Sequence, residues 1–195
     1  AAAEQAYSDA AADLAAAEAD DLITPTEVAA LEQALADAQQ AKTDAQTAVD
    51  ALPAEQQAAI DGFQGRLDAL TDIVIPTVND ANENGVDDAV DTQLADAEAA
   101  VAAAEQAYSD AAADLAAAEA DDLITPTEVA ALEQALADAQ QAKTDAQTAV
   151  DALPAEQQAA IDGFQGRLDA LTDIVIPTVN DANENGVDDS TEDQV

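Results

Sequence analysis

The chain has 195 residues, 43 of them acidic and only 4 basic, for a formal net charge of −39. It contains no Cys, His, Met or Trp, which excludes disulfides, thiol or imidazole nucleophiles and the usual zinc sites. So few cations cannot neutralise a phosphate backbone, so nucleic-acid binding is excluded, and anionic lipid surfaces would repel the chain. No apolar run is long enough for membrane insertion, and a soluble acidic protein whose ionic partners are cations is expected.

The dominant feature is an internal repeat. Residues Ala1 to Asp88 recur without a change as Ala102 to Asp189, with the stretch Ala89 to Val101 between them and Ser190 to Val195 after. Any function is then present twice, which points to an array and away from an enzyme. The expected organisation is a first three-helix repeat over residues 1–79 with a late-starting first helix, a joint over 80–88, a second repeat over 89–180, and a second loop and tail over 181–195.

The second copy is complete. From Val90 to Ala118 a seven-residue period places Leu94, Val101, Tyr108 and Leu115 on one row and Ala97, Ala104, Ala111 and Ala118 on the next. This predicts an amphipathic helix of about 30 residues whose small row lets a neighbouring helix approach closely. The paired Asp121-Asp122 should stop it, because carboxylates oppose the dipole at a helix C-terminus.

Thr125-Pro126-Thr127-Glu128 then reads as a capping box with proline at the first helical position. The helix it opens carries Val129, Leu132, Leu136, Ala139, Lys143, Ala146, Val150 and Leu153 on one stripe. Lys143 on that stripe is expected to lay its stem on apolar surface, a structural role. Asp20-Asp21 and the following Thr24-Pro25 are read the same way, as a cap.

Pro154 breaks this helix, and Ile161, Phe164, Leu168, Leu171 and Val175 predict a third that ends at Ile174-Val175-Ile176-Pro177. Gly163 and Gly166 inside it suggest close approach of a neighbouring backbone. The first copy repeats the stripes through Tyr7, Leu14, Val28, Leu31, Leu35, Val49, Leu52, Ile60, Phe63, Leu67 and Leu70. The fold class is therefore all-α: two tandem up-down-up three-helix bundles joined end to end by an acidic loop. An odd number of helices carries the chain from one end of a unit to the other, so tandem units should form a rod.

The joint carries the one specific chemical signal. Counted from Asp80, side-chain oxygens fall at positions 1, 3, 5, 9 and 12, on Asp80, Asn82, Asn84, Asp88 and Asp91, with Gly85 at 6 and the Val86 carbonyl at 7. The second copy keeps Asp181, Asn183, Asn185, Gly186, Val187 and Asp189 and ends in Glu192. This is the spacing of an EF-hand-type calcium loop: alternate residues point hard oxygens inward and glycine allows the sharp turn. With two Asn in place of carboxylates, weak Ca2+ binding is expected, roughly 10⁻⁵ to 10⁻³ M. The competing reading is a plain Asn-Gly turn in an acidic linker.

The string DDLITPTEVAALEQALADAQQAKTDAQTAVDALP, followed by RLDALTDIVIPTVNDANENGVDD, resembles the GA-like helical repeats of very large bacterial surface adhesins, over nearly the whole chain. It departs at Asp21 and Asp122, where the family pattern has Gly. The resemblance implies a distant relation to albumin-binding three-helix modules, export to the bacterial cell surface, and a place in repeat-rich, biofilm-associated adhesins. On it rests the leading expectation, a monomeric extender whose partners are its own neighbouring repeats and calcium. The alternative is a module binding a host or matrix protein. The predicted surface of Ala, Gln, Asp and Glu, with both Phe and both Tyr on core stripes, offers such a partner little to grip.

Overall fold

The computed structural model describes residues 1–192, so the tail residues Asp193 to Val195 lie outside the described residues. The chain divides into two compact units, Ala1–Ala89 and one beginning at Val90. Among the described residues every regular element is helical: α1 (Ala2–Ala17), α2 (Pro25–Asp50), α3 (Gln57–Asp68), α4 (Asp88–Ala118), α5 (Pro126–Asp151), α6 (Gln158–Asp169) and the short α7 (Asp189–Glu192). Each unit is a three-helix assembly, α1–α3 in the first and α4–α6 in the second.

The caps follow the sequence. Thr125 Oγ1 accepts the Glu128 amide at 3.2 Å, and Glu128 reaches back to the Thr125 amide at 2.9 Å, with Pro126 at the first helical position. Thr24 and Glu27 close the same box on α2. Before each box the chain turns through a 3-10 segment and then Asp21 or Asp122, at φ 61° and 62°. This left-handed conformation is the one glycine adopts freely, which explains why Gly suits the position where this chain has Asp.

In the second unit α4 and α5 run antiparallel, as the core layers show: Ala97 and Val101 pack with Ala146 and Val150, Tyr108 and Ala111 with Ala139, and Ala118 with Leu132. The alanine row is buried as its spacing predicts, and Ala97, Ala104 and Ala139 lose all solvent contact. Lys143 has the structural role expected of it. Its Nζ donates to the Leu171 carbonyl at 3.2 Å and lies 5.8 Å from the centroid of the Tyr108 ring.

The third rung corrects the sequence reading. α6 stops at Asp169, so Leu171 and Val175 are not helical. Residues 171–179 have no regular structure; Leu171 and Ile174 pack against the Tyr108 layer, and Ile176 packs against Ala118, Ile124 and Leu132. Val175, expected in the core, is 80% exposed. The β-branched run before Pro177 favours extended backbone, and the alternation of side chains along an extended segment turns Val175 outward. Two further expectations fail. A Cβ added at Gly62, Gly65, Gly163 or Gly166 would meet nothing within 4 Å, so no neighbouring backbone approaches them. Phe63, placed on a core stripe, is 43% exposed, whereas its copy Phe164 packs against the Val101 cluster.

Candidate metal centre

Each acidic loop follows directly on the extended segment and leads into a helix. In the first unit Asp80 is 1% exposed although it is an aspartate in a connecting loop. Its Oδ1 accepts the Asn84 amide at 3.1 Å and its Oδ2 the Gly85 amide at 3.0 Å. Asn82 Oδ1 accepts from the Asn84 amide at 3.0 Å, and Asn84 Oδ1 from the Val86 amide at 2.8 Å. Asp88 accepts the Ala81 amide at 3.1 Å. Gly85 sits at φ 81°, the sharp turn required of position 6. The residues at loop positions 1, 3, 5 and 9 thus fold the segment around their own oxygens.

The second loop repeats this and shows its closing residue. Asp181, 2% exposed, accepts the Asn185 and Gly186 amides at 3.1 and 2.9 Å, and Asp189 accepts the Ala182 amide at 3.1 Å. Glu192, in α7, takes Asn183 Nδ2 at 3.0 Å and also Asn185 Nδ2. Positions 3, 5 and 12 therefore face one another in the second loop. Asp91 occupies the corresponding place in the first turn of α4. Val86 and Val187 sit at position 7 beyond the glycine turn.

Among the described residues no group of three or more Asp, Glu, His or Cys side chains is gathered closely enough to hold a metal. The oxygens are spread over hydrogen bonds to amides. A carboxylate oxygen has two lone pairs, so one that accepts an amide keeps the capacity to accept a second partner. Asp and Asn side-chain oxygens with a backbone carbonyl make a donor set of the kind that suits a hard cation that prefers oxygen.

What sequence reasoning missed is how the loop is fastened. Asn79 precedes position 1. Its amide and that of Asp80 both donate to the Ile23 carbonyl, at 2.9 and 3.1 Å. Its side-chain oxygen accepts the Ile23 amide, and its Nδ2 donates to the Asp21 carbonyl and to Asp87 at 2.9 and 3.0 Å. Its carbonyl takes the Asp88 amide at 2.7 Å. Glu83, at φ 55°, accepts from the Thr26 amide at 3.2 Å in the first turn of α2. Asn180 and Glu184 repeat every one of these contacts on Ile124, Asp122, Asp188 and Thr127. Because the partners at Asp21, Ile23 and Thr26, like those at Asp122, Ile124 and Thr127, lie more than fifty residues away, no local pattern betrays them. In the second loop Ser190 donates to Asp188 through side chain and backbone, which holds that carboxyl below the ordinary aspartate range.

A family model described as GA-like domain matches residues 1–89 and again residues 94–190. No curated protein and no solved structure matches the chain. Since the two matches follow the two three-helix units and take in nearly all residues, the chain belongs to the GA-like domain family, a module type found in bacterial surface proteins.

Proposed function

We propose that the chain is a pair of extender repeats from a bacterial cell-surface adhesin, stiffened by calcium in the Asp80 and Asp181 loops. GA-like domains are non-catalytic binding or structural modules, and no helix among the described residues is long and apolar enough to cross a membrane. The observation that carries the reading is the near-complete burial of Asp80 and Asp181 in loops folded around their own oxygens and fastened to α2 or α5 of the same unit. A cation held there would be tied to the bundle instead of swinging on a linker.

Asp80, Asn82, Asn84, the Val86 carbonyl, Asp88 and Asp91 would hold the first ion, and Asp181, Asn183, Asn185, the Val187 carbonyl, Asp189 and Glu192 the second. Calcium would supply charge neutralisation among carboxylates in a chain of net charge −39. Such a site would fill in a millimolar-calcium exterior. The high negative charge would keep neighbouring stalks apart.

Titration calorimetry with calcium and magnesium, together with melting curves in calcium and in chelator, tests this. At a hundredfold excess over Kd each site stabilises its unit by about 2.7 kcal/mol, an upward shift of several degrees in Tm. Replacing both Asp88 and Asp189 by Asn keeps the loop's shape and removes one charge per site. Calcium affinity should fall at least tenfold while the chelator melting curve stays in place. A melting temperature indifferent to calcium would overturn the metal; solution scattering showing no stiffening with calcium would overturn the stalk.

A further inference from the structure

Asparagine precedes glycine twice in the chain, at Asn84-Gly85 and Asn185-Gly186, whereas Asn79, Asn82, Asn180 and Asn183 each precede an acidic residue. The difference matters for one reaction. An asparagine side chain can be lost to its own backbone when the nitrogen of the next residue attacks Cγ and closes a five-membered imide. Glycine permits this most readily, since no Cβ shields its nitrogen and its dihedrals are free. An acidic successor crowds the nitrogen, and its charge opposes loss of the amide proton. Nothing lies within 4 Å of where a Cβ would stand on Gly85 or Gly186, and both asparagines are exposed, so water reaches each site.

The folded loop holds the two reacting groups apart from each other's use. The Gly85 N–H donates to Oδ2 of the buried Asp80 at 3.0 Å, and Asn84 Oδ1 accepts the Val86 amide at 2.8 Å. In the second loop Gly186 donates to Asp181 at 2.9 Å, Asn185 Oδ1 accepts the Val187 amide at 2.9 Å, and Asn185 Nδ2 donates to Glu192. The nucleophile and the carbonyl it would attack thus face different partners, and ring closure has to break both bonds first. The contact of Glu83 with Thr26 fastens this stretch to α2 from behind.

We propose that Asn84 and Asn185 are sites of spontaneous deamidation, with opening of each loop setting the rate. The Gly85 nitrogen bonds to Cγ of Asn84 and gives up its proton. The Cγ–Nδ2 bond breaks, and the side-chain nitrogen leaves with that proton as ammonia. Water then opens the imide. Cleavage at Cγ leaves an aspartate, and cleavage at the former backbone carbonyl leaves an isoaspartate, whose main chain is one carbon longer. Either product adds one negative charge. The aspartate puts a carboxylate at loop position 5, where a divalent cation gains an anionic ligand, and this consequence alone rests on the calcium reading. The isoaspartate draws the Gly85 amide away from Asp80 and undoes the turn.

The test incubates the full chain with chelator at one mildly alkaline pH, in buffer and in urea. Released ammonia gives the rate, and tandem mass spectrometry of the intact chain gives the position of each conversion. In urea Asn84 and Asn185 should convert well ahead of the other four asparagines, and in buffer the same two should convert about tenfold or more slowly. Thr26→Ala loosens the Glu83 anchor and touches no reacting group. It should speed Asn84 severalfold and leave Asn185 of the same chain unchanged, with a circular dichroism spectrum matching the parent. Asp80→Ala should speed Asn84 further toward the urea rate. Equal rates in buffer and urea, or an acceleration that Asn185 shares, overturn the control by loop opening. No conversion in urea, or conversion spread evenly over all the asparagines, overturns the sites. Asn84→Asp combined with Asn185→Asp should bind calcium severalfold more tightly than the parent. If it binds no more tightly while the parent converts as described, the calcium reading fails and the deamidation sites stand.

Discussion

Asn79 and Asn180 spend both ends of the side-chain amide and the backbone N–H on contacts that join the loop to residues 21–23 or 122–124, and the carbonyl on the Asp88 or Asp189 amide. Neither a carboxylate nor a lysine could do this, because the position needs a donor and an acceptor at once. At the far end of the bundle, cations act singly. Arg167 bonds Glu105 through Nε and Nη2 and holds that carboxyl below its usual range, chiefly by these hydrogen bonds, which outweigh the opposing effect of burial, with a lesser contribution from its charge. The folded state thus binds the Glu105 proton less tightly than the unfolded chain does. Its stabilisation is complete above the unfolded value near 4.5 and is lost as pH falls through the lower folded value. Glu105→Gln should therefore lower Tm at pH 7, and the gap between variant and parent should close as pH falls below about 4.5. A gap that persists unchanged at acid pH would show that the pair acts through packing.

Among elements, the helices solve a shortage of cations with glutamine. Gln33–Asp37, Gln40–Asp44 and Gln46–Asp50 on α2 are hydrogen-bonded one turn apart, as are Gln134–Asp138, Gln141–Asp145 and Gln147–Asp151 on α5. Such pairs add about 0.2–0.5 kcal/mol each and place an N–H donor beside a carboxylate that would otherwise face another carboxylate. Gly163 and Gly166 bring no such benefit, since their open surroundings require nothing of glycine. Replacing either by Ala should stabilise the second unit by about 0.5–1 kcal/mol in urea unfolding, because both lie inside α6. Destabilisation instead would mean that a partner seats against that face. The capping boxes and the heptads of α4 and α5 were legible in the sequence because caps and periodicity are local. The end of α6 was not: Leu171 and Val175 continue a heptad by position, while Ile174 and Ile176 fit an extended alternation equally well, and packing of Ile176 on Leu132 decides between them. In the loops, spacing identified the oxygen-bearing residues, but the roles of Asn79 and Glu83 depend on contacts with α2 and with residues 21–23 before it that only the folded chain supplies, as does the burial of Asp80.

For the molecule as a whole, exact repetition turns the two units into a controlled comparison. Ala146 is fully buried and Leu153 is 7% exposed, whereas Ala45 and Leu52 are half-buried. Less apolar area leaves water when the first unit folds, so it should be the less stable. Scanning calorimetry should resolve two transitions, and Phe63→Leu should move only the lower one. A single transition would show that the units unfold together. The scarcity of cations has one more result. Lys42, Arg66, Lys143 and Arg167 are the only basic residues, and each lies within a helix: α2, α3, α5 and α6. The exposed turns, where nicking ordinarily begins, thus offer a trypsin-like protease no bond to cut. Such an enzyme has to wait for a helix to melt, and digestion of this chain becomes a clock for unfolding.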